Sequence, residues 1–95
     1  MSLKFLVVDD SLTMRRIVVN SLKNLGYSEF VEAADGQEAL TKLDSDRTIN
    51  FVITDWNMPV LSGLELTKGI RGNADFANVP ILMVTTRGVK EDIIE

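Results

Sequence analysis

Short apolar runs alternate with stretches of helical periodicity from one end of the chain to the other. Phe5-Leu6-Val7-Val8 has no polar position, which reads as a strand buried on both faces, and Asp9-Asp10 stop it. Ser11 is placed as an N-cap for a helix carrying Met14, Ile17, Val18, Leu22 and Leu25 on one face, with Gly26 as its stop. Phe30 to Ala33 reads as a short second strand. Asp35 and Glu38 have the spacing of a capping box, opening a helix with Ala39, Leu40 and Leu43, and Asp44 to Asn50 reads as a polar turn. Phe51-Val52-Ile53-Thr54 is a third buried strand, stopped by Asp55. Pro59 falls in the loop that follows. Ser62 and Glu65 form a second capping box, with Leu61 and Leu66 placed as a hydrophobic staple, and the helix runs to about Arg71 before Gly72. Pro80 opens a fourth strand, Ile81 to Val84, followed by Thr85-Thr86, and Val89 to Glu95 reads as the start of another helix. Apolar strands alternating with amphipathic helices specify an α/β fold, a doubly wound parallel sheet with helices on both faces.

Composition narrows the chemistry. Ninety-five residues suit one domain with a marginal core. A net charge of −4 argues against broad binding to nucleic acid backbones. With no cysteine and no histidine, disulfides, thiolate chemistry and zinc sites built on those ligands are excluded, so a bound metal must be a hard cation on oxygen ligands. No apolar stretch approaches the ~20 residues of a membrane span, and the N-terminus has no signal-peptide pattern. A cytoplasmic protein, bound to neither nucleic acid nor membrane, is expected.

In parallel α/β sheets the site lies at the carboxyl ends of the strands, where the strand order reverses. With a flavodoxin-like order the first and third strands are neighbours there, which brings Asp9, Asp10 and Asp55 together. No histidine or lysine nearby in sequence neutralises them. At ~4 Å each pair repels by roughly 1 kcal/mol in water and about 4 at an effective dielectric of 20. Such a cluster calls for a cation or a raised pKa. Oxygen ligands favour Mg2+, with Mn2+ as a substitute. Acids that merely cap helices or form turns are the ordinary alternative for any one of them. A carboxylate beside Mg2+ suits acyl-phosphate chemistry, and the Thr85 hydroxyl is placed to meet a phosphoryl oxygen or, equally, the backbone or water.

KFLVVDDSLTMRR, EAADGQEAL, VITDWNMPVLSGLEL and PILMVTT, in register from Lys4 to the end of the chain, resemble the receiver domains of response regulators. Trp56 and Met14-Arg15-Arg16 point to the chemotaxis (CheY-like) branch. The resemblance implies that Asp55 is the phosphoacceptor. It implies that Asp10 is a direct Mg2+ ligand, that Asp9 acts largely through water, and that Asn57 offers its backbone carbonyl to the metal. Thr85 resembles the switch residue, and Trp56, Met58 and Pro59 would shape the loop beside Asp55. Arg87 lies in a neighbourhood that influences dephosphorylation. The implied phosphodonor is a CheA-like histidine kinase, and the implied output is control of the flagellar motor through a switch protein.

Receivers also carry a fifth strand with an active-site lysine, and a closing fifth helix. Neither is found in these 95 residues, and Lys90 lies in the incipient fourth helix and is no substitute. The expectation is therefore a receiver domain over residues 1–95, cut short near the start of its fourth helix, with four strands and no active-site lysine. The fourth strand, apolar enough for an interior position, would stand at a sheet edge, which favours homo-oligomers. An interaction or dimerisation module that cannot be phosphorylated is the main alternative. A phosphohydrolase with an Asp nucleophile is weaker, because position 57 holds Asn where a general acid is required.

Overall fold

The computed structural model describes residues 3–55 and 62–84 of the chain. Its elements are β1 (Lys4–Val8), α1 (Leu12–Asn24), β2 (Glu29–Ala33), α2 (Gly36–Ser45), β3 (Phe51–Asp55), α3 (Gly63–Arg71), a 3₁₀ turn (Ala74–Phe76) and β4 (Ile81–Val84). The strands form one parallel sheet in the order β2-β1-β3-β4, so β1 and β3 are neighbours as the flavodoxin-like order requires.

Side-chain alternation along the strands builds two cores. Leu6, Val8, Val31, Ala33, Val52 and Ile81 face α2 and α3, and pack with Ala39, Leu43, Leu66, Ile70, Ile49 and Phe76. Phe5, Val7, Phe30, Phe51, Ile53 and Val84 face the other way, toward Val18, Val19 and Leu22 of α1. Full burial of a side chain such as Leu6 or Leu66 stabilises the fold by roughly 1.5–3 kcal/mol. On the α1 side the ring of Phe5 meets Tyr27 edge-on at 5.0 Å and lies 5.3 Å from Phe51.

The helix ends follow local chemistry. Ser11 caps α1 through Met14 N–H, and Asp35 caps α2 through Glu38 N–H at 2.8 Å. Ser62 and Glu65 make both bonds of a capping box on α3. Gly26, at φ 102°, ends α1 as expected: its N–H reaches the Lys23 carbonyl while Tyr27 N–H reaches Leu22. Leu61 of the expected staple lies outside the described residues, and Leu66 is buried.

Three local expectations need correction, and one element carries no signal in the sequence. The inward face of α1 is Met14, Val18, Val19 and Leu22, while Ile17 is 51% exposed and Leu25 points to solvent. Three consecutive apolar residues, Ile17 to Val19, leave the helical phase ambiguous, and packing against Phe5 and Val7 selects the later two. At the start of α2, Glu38 accepts from Ala34 N–H rather than from the cap residue's own N–H, so the box is closed one residue early. The supposed polar turn holds the last residues of α2 and a core residue, Ile49. The 3₁₀ turn, which sends Phe76 into the same core, has no periodic signal of its own.

Among the described residues β4 is the outer strand of the sheet on that side, and its Leu82 is 52% exposed. No helix among them is long and apolar enough to cross a membrane.

Candidate metal and phosphoryl site

The site grows from strand register. Val8 of β1 is paired with Thr54 of β3, so the residues that follow them, Asp9 and Asp55, emerge level at the carboxyl edge of the sheet. Asp10 comes next as the chain turns toward α1. One carboxylate oxygen from each of Asp9, Asp10 and Asp55 lies within 4.8 Å of the other two. Asp9 is 5% exposed and Asp55 2%, and both oxygens of Asp55 are shielded from solvent.

Several main-chain and hydroxyl contacts hold the edge. Asp9 N–H donates to the Ala33 carbonyl at 3.1 Å, and Asp9 Oδ1 accepts from Ser11 N–H at 2.9 Å. Thr54, fully buried beneath the site, donates its hydroxyl to the Asp55 carbonyl at 3.0 Å. Burial pushes the Asp9 carboxyl above its ordinary range. The Ser11 N–H opposes that rise, while the neighbouring Asp55 and Asp10 carboxylates add to it.

The donor set fits a small hard dication. It consists of carboxylate oxygens only, it brings three negative charges into one small volume, and it contains no nitrogen or sulfur ligand. Asp9, Asp10 and Asp55 are thus brought together as the sequence implies. Trp56, Asn57, Met58, Pro59, Thr85 and Arg87 lie outside the described residues.

One participant was not visible in the local sequence. No histidine or lysine stands near the cluster in sequence, but Arg15 of α1 donates from Nη1 to the Asp9 carbonyl at 2.6 Å and from Nε to Glu32 Oε1 at 3.2 Å. Arg16 adds a looser pair with Glu32 at 3.8 Å. Glu32 lies on β2, which only the parallel pairing with β1 brings to this place. The available signal was weak: a basic residue one turn before Val19 on an inward helical face.

Comparison with known proteins agrees with this fold. The family described as "Response regulator receiver domain" matches residues 5–95. The chemotaxis protein CheY1 of Helicobacter pylori is 50% identical over 92 residues, covering 97% of this chain and 74% of its own length. The CheY homolog of Campylobacter jejuni is 48% identical and is covered over 71% of its length. Among solved structures, the chemotaxis response regulator CheY4 of Vibrio cholerae superposes with a TM-score of 0.80 at 42% identity. That alignment covers 87% of this chain and 68% of that one.

Proposed function

This chain belongs to the response regulator receiver domain family, and from that premise we propose that it is a phosphorylation switch whose phosphoacceptor is Asp55. The observation that carries the reading is the convergence of Asp9, Asp10 and Asp55 within 4.8 Å at two adjacent strand ends. These carboxylates, with the backbone carbonyl of Asn57, would hold Mg2+, or Mn2+ in its place. Such an ion neutralises charge on the phosphoryl oxygens during transfer.

The residues of the chain do the rest. An oxygen of Asp55 attacks phosphorus in line with the leaving group. The bond from phosphorus to the imidazole nitrogen of a phosphohistidine breaks, the imidazole takes a proton from solvent, and an aspartyl phosphate remains. Burial of Asp55 limits water around the product. The Thr85 hydroxyl donates to a phosphoryl oxygen, Trp56, Met58 and Pro59 shape the adjoining loop, and Arg87 bears on the phosphoryl lifetime. A CheA-like histidine kinase is the phosphodonor, with small acyl phosphates as substitutes. The chemotaxis relatives support a role in chemotaxis; an output at the flagellar switch, in the cytoplasm, follows from the receiver resemblance.

The test uses Trp56, next to Asp55. Mg2+ is titrated while its fluorescence is followed, acetyl phosphate is added, and the intact mass is measured. Saturable quenching that Asp10→Asn removes, and one added phosphoryl group that Asp55→Asn removes, are the expected results. A second reading, an association module inert to phosphodonors, rests on the half-exposed Leu82 of β4. A flat titration of a folded chain, with a concentration-dependent mass in light scattering, would favour it over the switch.

A further inference from the structure

The side chain that fixes the acidic loop has no part in the chemistry above. We infer that Arg15 is a positioning residue, clamping the peptide between Asp9 and Asp10 against β2 and so setting where both carboxylates stand relative to Asp55. The inference rests on the metal-site reading and goes beyond it.

Arg15 occupies an inward position of α1, and its side chain is only 13% exposed. An arginine is seldom buried this far unless its donors are used. Here they are used in two directions, Nη1 to the Asp9 carbonyl at 2.6 Å and Nε to Glu32 Oε1 at 3.2 Å. Glu32 is the residue before Ala33, whose carbonyl accepts from Asp9 N–H at 3.1 Å. The main chain of Asp9 is therefore held to the end of β2 at both its polar groups. Its N–H is held directly, and its carbonyl through the guanidinium.

The clamped carbonyl belongs to the peptide that joins the two acids. The plane of that peptide sets ψ of Asp9 and φ of Asp10, and through them the direction in which each side chain leaves the backbone. Metal and phosphoryl sites tolerate displacements of only about 0.5 Å in such groups. The Nη1 and Nε donors of the guanidinium go to the Asp9 carbonyl and to Glu32. What it supplies is a planar fork with donors at a fixed angle, which a lysine cannot reproduce.

The test measures Mg2+ binding by Trp56 fluorescence and by calorimetry, without any phosphodonor, on wild type, Arg15→Lys, Arg15→Met, Glu32→Gln and Lys4→Met. Lys4→Met is the control for general loosening, because it breaks an ion pair with Asp46 at the far end of β1. Both Arg15 variants are expected to bind Mg2+ about tenfold more weakly or worse. Glu32→Gln should show a smaller loss in the same direction, and Lys4→Met none. Arg15 variants that bind as wild type does would overturn the proposal and leave the metal site standing. A parallel loss in Lys4→Met would overturn it as well, since general loosening would then explain the effect. A wild type that binds no Mg2+ would remove the metal site and this inference together. Should Arg15→Met fail to fold by circular dichroism, Arg15→Lys and Glu32→Gln decide the question, and unchanged affinity in both counts against it.

Discussion

Replacing Asp9 by asparagine removes one of three clustered negative charges while keeping the shape of the side chain and the oxygen that accepts from Ser11 N–H. One carboxylate oxygen from each residue lies within 4.8 Å of the other two. At that separation each pair of charges costs about 0.9 kcal/mol in bulk water and about 3.5 kcal/mol at an effective dielectric of 20. Asp9 faces two such neighbours but can relieve part of the cost by holding a proton. We therefore expect the metal-free variant to be more stable than wild type by about 1–3 kcal/mol at neutral pH. For a domain of this size that raises the thermal midpoint by at least about 4 °C. The sign of the pH dependence follows from the raised pKa. The folded chain binds a proton at Asp9 more tightly than the unfolded chain, so wild type loses stability as pH rises from about 4 through the folded value. The advantage of Asp9→Asn should therefore be small in acid and reach its maximum at neutral pH. Saturating Mg2+ should then stabilise wild type more than the variant, narrowing or reversing the gap. Urea and thermal melts in EDTA and in Mg2+, across this pH range, supply the measurement. A variant less stable than wild type in EDTA at neutral pH would refute the electrostatic reasoning.

Two further outcomes test the scaffold. Gly26 lies at φ 102° with open space around the position of a Cβ, so Gly26→Ala should cost roughly 1–2 kcal/mol through backbone strain alone; a neutral variant in urea melts would show that the turn relaxes. Lys4 and Thr48 hold the Asp46 carboxyl down to about 2, so the stability it contributes is full above about 4 and is lost as pH falls toward 2. The stability gap between wild type and Lys4→Met should shrink over that interval, and a gap that persists unchanged at the acid end would rule the ion pair out as its source.

What could be read in advance was whatever depends on neighbours in sequence. Ser62 with Glu65, Gly26 after Leu25, and the acids after two apolar runs all declare themselves within a few residues. The order of the strands then brought Asp9, Asp10 and Asp55 together without needing any side-chain detail. The misses required the third dimension. Ile49 is a lone apolar residue in a polar segment until it meets Leu43 and Phe76, and the phase of α1 is undecided until Phe5 and Val7 choose Val19 over Ile17. Arg15 has the composition of a surface residue. Its partners lie six and seventeen positions away in sequence, and nothing local connects them.

The length of β1 has a consequence for how the two ends of the molecule communicate. The Lys4–Asp46 pair and the Phe5–Tyr27 contact lie at its beginning, and the acidic cluster follows its end. Five strand steps from Lys4 to Asp9, at ~3.3 Å each, separate the poles by roughly 16 Å. Salt screens exposed charges beyond ~8 Å, but Asp9 and Asp55 are buried and are screened less. By distance alone, a charge gained or lost at the Lys4 end acts on the carboxylates about a third as strongly as one within the cluster, although both poles share one backbone. The strand works as an electrical spacer. The lower pole can take substitutions that adjust solubility or melting temperature, or carry a fluorescent label, with a muted effect on the potential at the upper pole.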